Sequence, residues 1–234
     1  MTVNGSVALV TGGNRGLGDH LVRALLDAGA AKVYAAARDP RKVTAEGATP
    51  LRLDITDHAA VLAAAEQAPD VTLLVNNAAT SLGGTVLDGE LDTYRREFET
   101  HVFGTLDVTR AFAPVLARNG GGSVLNVLSA LSWLALPDAA GYCAAKSAAW
   151  SLTNSLRVAL AGQGTRVSAL HVGYMDTDLT AGLDVPKADP ADIARIAVEG
   201  LDKGLYEILA DDTSRHVKDG LSADVQALYP QLAG

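Results

Sequence analysis

The 234-residue sequence has a single cysteine, Cys143, so no disulfide can form within the chain and a reducing compartment is expected. Basic residues are few: 19 Lys and Arg stand against 27 Asp and Glu, a formal net charge of −8. That sign argues against nucleic acid or an anionic membrane as partner, because an acidic surface repels either one. It leaves room for one small polyanion in a locally basic pocket. Long apolar runs are also missing. The first, residues 7–10, is too short for a signal-peptide core or a membrane span, and no basic leader precedes it. A soluble, cytoplasmic protein is the expectation. The histidines at 20, 58 and 216 are scattered, so no metal site is expected. No internal repeat, charge block, low-complexity tract or linker divides the chain.

What is present is 48% hydrophobic and 20% charged residues, the balance of a globular chain with a sizeable core. Short apolar runs alternate with amphipathic stretches. Strands are expected at residues 7–10, 32–36, 51–53, 73–76, 123–128, 166–171 and 206–210. Helices are expected at 17–28, 59–68, 91–117, 142–161 and 190–201. The strand runs are continuous and apolar, which suits strands buried on both faces. Strand–helix–strand units take right-handed crossovers, so the expected architecture is α/β: a doubly wound, seven-stranded parallel sheet flanked by helices, one domain over residues 1–234. A ligand in such a sheet sits beyond the carboxyl ends of the strands.

The first strand runs into Thr11-Gly12-Gly13-Asn14-Arg15-Gly16-Leu17-Gly18, with a helix after it. Glycines at 12, 16 and 18 permit a tight turn and let backbone N–H groups approach a pyrophosphate at the helix N-terminus. Taken alone, the loop is equally a plain glycine-rich turn; its strand–turn–helix setting favours dinucleotide binding. No Gly-Lys-Ser/Thr ending follows, which rules out a nucleoside triphosphate loop. The Thr-Gly-x-x-x-Gly-x-Gly spacing resembles the short-chain dehydrogenase/reductase family. The resemblance continues through Leu53-Asp54-Ile55, Asn76-Asn77-Ala78-Ala79, Ser129, Tyr142-x-x-x-Lys146 and Gly173-x-x-x-Thr177, in order, and weakens beyond Thr177. It implies a Rossmann-type fold and a nicotinamide cofactor. The glycine-loop residues Gly12, Asn14, Arg15, Gly16, Leu17 and Gly18 would then bind that cofactor.

The second strand ends Ala35-Ala36-Ala37-Arg38-Asp39. An NAD site places a carboxylate there to hold the ribose hydroxyls, whereas an arginine accommodates a 2′-phosphate. Aligned with the family, Ala37 fills the acidic position and Arg38 follows; Arg15 is the second basic residue of NADP-selective members. Two guanidinium groups hold a phosphate bidentately, so NADP(H) is expected over NAD(H). Asp39 could in principle reach a ribose, but it lies one residue beyond Arg38. The resemblance also implies that Asp54 and Ile55 form the adenine-side pair and that Asn77 and Ala78 pass the ribose through their backbone. Gly173, Met175 and Thr177 would cover the nicotinamide carboxamide. Asn76 is expected to tie neighbouring strands together.

Tyr142 and Lys146 are i and i+4 on an expected helix, hence on one face. A phenol with an ordinary pKa of ~10 is a poor acid–base group near neutrality, and a neighbouring cation stabilises its phenolate. Such a pair alone is ordinary on a helix surface. Its position after Ser129 and downstream of the glycine loop gives it meaning. The resemblance implies Tyr142 as acid/base, Lys146 lowering its pKa and binding the nicotinamide ribose, and Ser129 holding the substrate oxygen. Ser132 competes with Ser129 but lies further from the strand end.

Three positions depart from the family pattern. His101, in Thr100-His101-Val102-Phe103-Gly104, stands where an asparagine usually holds a relay water near the lysine. Imidazole can hold such a water, or His101 merely fills a half-buried site. Val172 replaces a proline before Gly173, which would loosen that segment, and Ala79 replaces a glycine. Leu131, Trp133, Tyr174 and Leu179 either line a pocket for a ketone or aldehyde substrate or are packing residues. The small residues Ala144, Ala145, Ala148 and Ala149 could pack on a second copy, giving a homodimer or homotetramer, with a monomer left open. The expected reaction interconverts a small carbonyl compound and an alcohol. A non-catalytic NADP(H)-binding sensor, or dehydratase or epimerase chemistry, are the alternatives.

Overall fold

Successive strand residues point to opposite faces of a sheet, and in this chain both faces are apolar. In β1 (Val7–Thr11), Ala8 and Val10 pack on one side and Leu9 on the other. In β4 (Leu73–Asn76), Leu73 and Val75 separate from Leu74 in the same way. Burial on both faces is why the strands read as continuous apolar runs.

The computed structural model describes residues 2–232. Residues 1, 233 and 234 of the expected 1–234 domain lie outside the described residues. The remaining strands are β2 (Lys32–Ala37), β3 (Thr49–Arg52), β5 (Gly122–Val127), β6 (Thr165–His171) and β7 (Glu207–Leu209). All pair in parallel, in the order β3-β2-β1-β4-β5-β6-β7. Helices α1 (Gly16–Asp27) and α6 (Pro190–Asp202) cover one face through Leu17, Leu21, Leu25, Ile193 and Ala197. Helices α2 (His58–Gln67), α4 (Thr105–Arg118) and α5 (Ala140–Ala161) cover the other through Val61, Phe112, Leu116 and Leu160. This is the expected doubly wound Rossmann-type sheet. Its strand order reverses between β1 and β4, and the crevice at that point is where a ligand sits.

Two elements differ from the sequence reading. The single helix expected over 91–117 is α3 (Leu91–Phe98), a π turn (Glu99–Gly104) and α4. The wider turn re-aims the side chains within it, and apolar periodicity does not register one local change of pitch. A helix not expected, α7 (Asp212–Gly220), follows β7. Only Ser214 and Val217 are buried on it, too few to leave an apolar stripe in the sequence. No helix among the described residues is long and apolar enough to cross a membrane.

Candidate active site

The glycine loop leaves β1 with Gly12 at φ +65° and Gly16 at φ +51°, a region that disfavours side chains. A Cβ on Gly18 would overlap the Gly12 carbonyl oxygen and come within 2.7 Å of Asn77 Nδ2. Gly18 thus lets α1 pack directly on the loop, and the loop's glycines leave a cradle bare of side chains. Arg15 occupies the N-cap of α1 without a side-chain cap, leaving first-turn N–H groups available to an anion. Thr11 ties the two central strand ends together: its hydroxyl accepts from Asn77 N at 2.9 Å and Ala78 N at 3.0 Å. Asn77 Nδ2 in turn donates to the Thr11 carbonyl at 2.9 Å. Asn76 Nδ2 donates to Asn126 Oδ1 on β5 and to Thr109 Oγ1 on α4, both at 2.9 Å, the tie between strands that was expected.

These strand ends open on one cleft of about 410 Å³. The glycine-loop residues, Arg38, Asp54, Ile55, Asn77 and Ala78 all line it, as do Gly173, Met175 and Thr177. Ser129, Tyr142 and Lys146 line it too. The two arginines are in different states. Arg38 is exposed and has no ion pair among the described residues, whereas Arg15 Nη1 donates to Asp178 Oδ2 at 3.0 Å. Asp39, which could have served a ribose, is engaged elsewhere. It accepts from Arg41 Nε at 2.9 Å and Nη2 at 3.1 Å and caps the turn Pro40–Lys42. The hydrogen bond with the Arg41 guanidinium is what holds its carboxyl below the usual range.

Ser129 lies just past the end of β5, at the N-cap of the 3-10 turn Ala130–Ser132. Its hydroxyl accepts from Leu131 N at 3.1 Å and donates to the Val172 carbonyl at 3.3 Å. The competing Ser132 is buried and lines no part of the cleft. Tyr142 is on the first turn of α5 and Lys146 on the next, with Nζ 5.6 Å from the phenol ring centre. Lys146 is 4% exposed, donates to the Val127 carbonyl at 2.8 Å, and burial lowers its pKa to about 8.

The phenol of Tyr142 departs from the sequence expectation. Desolvation by the surrounding protein pushes its pKa well above the ordinary value, while the neighbouring Ser129 hydroxyl pulls the other way. Lys146 is not what dominates this phenol. Helical spacing predicts the cation's approach but says nothing of how much protein crowds the hydroxyl.

His101, given as either a water holder or a filler of a half-buried site, lies behind the cleft wall. It sits in the π turn, 3% exposed, and does not line the cleft. Its ring packs edge-on against Tyr142, with centres 5.2 Å apart at 86°. Nε2 is 2.9 Å from the Thr80 carbonyl and 3.1 Å from Glu97 Oε2. Burial first, then the charge of Lys146, lower its pKa, so the imidazole is neutral. Glu97 was missed in the sequence. The signal was there, since Glu97 and His101 are one helical turn apart.

Of the four apolar pocket candidates, Leu179 lines the cleft, whereas Leu131, Trp133 and Tyr174 do not. Trp133 is stacked on His171, centres 3.7 Å apart at 17°, and is a packing residue. The segment with Val172 in place of proline is tied at both ends. Gly173 N donates to Asp211 Oδ2 at 2.6 Å, and Met175 bridges Ala188 at the base of the short excursion after Thr177.

The profile of the short chain dehydrogenase family matches residues 6–187. The trans-4-hydroxycyclohexanecarboxylate dehydrogenase of Sinomonas cyclohexanicum is 32% identical over 195 residues, 76% of this chain and 75% of the relative. Two solved structures from Burkholderia cenocepacia J2315 share the fold. A short chain dehydrogenase in complex with NADP superposes with a TM-score of 0.94 at 38% identity, covering 100% of both chains. A gluconate 5-dehydrogenase in complex with NADP and tartrate has a TM-score of 0.83 at 26% identity, covering 96% of this chain and 98% of the other. With its glycine cradle at the β1–β4 switch point and its Tyr–Lys pair beyond β5, the chain belongs to the short chain dehydrogenase family of oxidoreductases.

Proposed function

We propose that this protein interconverts a ketone or aldehyde and an alcohol with NADP(H) as cofactor. The observation that carries the reading is that Ser129, Tyr142 and Lys146 line the same cleft as the unpaired Arg38 and the glycine cradle. Arg38 and Arg15 would hold the 2′-phosphate, the open first turn of α1 the pyrophosphate, and Asp54 and Ile55 the adenine. Asn77, Ala78 and Lys146 would hold the ribose on the nicotinamide side, with Gly173, Met175 and Thr177 over the carboxamide. The cofactor supplies or accepts the hydride. The NADP complex of the 38%-identical relative supports the cofactor choice.

Ser129 donates its hydroxyl to the substrate oxygen, and Tyr142 transfers its phenolic proton to that oxygen as negative charge develops. A phenol raised by burial is fully protonated near neutrality, which suits the reducing direction. The Lys146 ammonium stabilises the phenolate left behind. Leu82, Val172 and Leu179 give the substrate end of the cleft an apolar wall. No nucleic-acid or membrane partner enters this reading.

The test is NADPH depletion against a panel of ketones and aldehydes. The panel includes a keto-sugar acid and a cyclohexanone carboxylate, the oxidised counterparts of what two relatives are named for. Tyr142→Phe is expected to lower turnover by about 10²- to 10⁴-fold while NADPH binding stays nearly intact. Turnover surviving that substitution sinks the mechanism. NADPH binding with no substrate consumed across the panel would favour a sensor.

A further inference from the structure

Glu97 is 0% exposed, and a buried carboxylate is costly unless its oxygens are met by donors. Both are met. Oε1 accepts from Leu82 N at 2.6 Å, and Oε2 accepts from Thr80 Oγ1 at 3.0 Å and faces His101 Nε2 at 3.1 Å. An apolar pair of similar volume would fill this space without the desolvation cost, so the dyad is more than filler.

The contacts fix where the proton on His101 lies. Nε2 faces the Thr80 carbonyl and the Glu97 carboxylate, and both only accept, so Nε2 carries the hydrogen. With the ring neutral, Nδ1 is a bare acceptor, and it makes no hydrogen bond among the described residues. The ring edge rests on Tyr142.

We propose that Glu97 is a positioning residue for the reaction. It fixes His101 as the neutral Nε2–H tautomer against Tyr142, and it ties that arrangement to Thr80 and Leu82 in the cleft wall. This rests on the reading of Tyr142 and Lys146 as the acid–base couple. The charged and titratable groups around the dyad are Tyr142 and Lys146, both from α5; the loop after β4 offers only Thr80 and the Leu82 backbone. Desolvation acts to raise the Glu97 carboxyl, but the His101, Leu82 and Thr80 hydrogen bonds and the electrostatic pull of His101 together hold it below the usual range, so it is ionised near neutrality. Its charge raises the pKa values of both Tyr142 and Lys146. Neutralising Glu97 therefore lets Lys146 lose its proton at lower pH.

Two measurements decide this. The first is nitrogen NMR of the full-length, NADPH-saturated protein labelled at histidine, with the His101 signals assigned by their loss in His101→Asn. A neutral Nε2–H tautomer through the neutral range supports the proposal; an imidazolium or an Nδ1–H tautomer overturns it. This needs no turnover, so it stands apart from any failure of the reductase reading, which the substrate panel detects.

The second is the pH dependence of kcat/KM for carbonyl reduction. The wild type is expected to lose activity as pH rises through about 8, with Lys146. Glu97→Gln is expected to move that limb to lower pH and to lower kcat about tenfold, with the Kd for NADPH unchanged. The same substitution in a His101→Asn background is expected to cost much less. A Glu97→Gln protein whose limb does not move, or whose loss is equal in both backgrounds, reduces Glu97 to a structural residue and overturns the proposal. If Glu97→Gln does not fold, the tautomer measurement on the wild type decides alone.

Discussion

Arg15 and Arg38 look alike in the sequence and differ in the fold. Arg38 stands free at the cleft edge, while Arg15 is already paired with Asp178 from the segment beyond Thr177. Exposed pairs of this kind contribute little, so a bound phosphate displaces Asp178 at small cost. Charge-assisted hydrogen bonds to a phosphate are worth more. The double variant Arg15→Ala/Arg38→Ala is expected to lower kcat/KM with NADPH by about 100-fold and to leave that with NADH within about threefold. Steady-state kinetics with both cofactors check this, and equal losses with the two would remove the phosphate-binding role. The sequence discounted Asp39 only by its place beyond Arg38, and its pairing with Arg41 was invisible there. Its capture by Arg41 depends on a local turn, not on residue type.

Among elements, the strands and α1, α2, α5 and α6 were legible because continuous apolar runs and amphipathic stripes are written residue by residue. The helix expected over 91–117 shows where that ends. Its apolar stripe resumes after the π turn, and Phe112 in α4 has no exposure, packed with Val108, Val115 and Leu116 against the sheet. Phe112→Ala leaves a cavity there and is expected to destabilise the protein by about 3–5 kcal/mol, read by urea unfolding. The π turn carries His101, whose ring meets Tyr142, and Glu97, on α3 just before it, meets Thr80 and Leu82.

Over the whole molecule, the last strand has only three residues, and side-chain contacts of Glu207 add to its pairing with β6. Glu207 accepts from Arg157 Nη1 on α5 at 2.8 Å and lies 2.6 Å from His171 Nε2 on β6, off the hydrogen-bond direction. His171 Nδ1 in turn is 3.2 Å from the Ser129 carbonyl. Burial raises the Glu207 carboxyl, but the His171 and Arg157 contacts outweigh it and bring its pKa from 4.5 to about 2. A depressed folded-state pKa gives stability that is present above 4.5 and lost as pH falls toward 2. Glu207→Gln is therefore expected to destabilise the protein at neutral pH, with the gap to wild type closing as pH falls through that window in urea titrations. A constant gap would show that the contribution is packing and not charge. The sequence by itself determined the parallel α/β architecture, the glycine cradle and the helical pairing of Tyr142 with Lys146, because periodicity, glycine spacing and i,i+4 geometry are local. Only the tertiary structure decided that burial, and not Lys146, governs the Tyr142 phenol. It also decided that His101 stands behind the cleft with Glu97, because desolvation and buried charge depend on what other segments of the chain bring close.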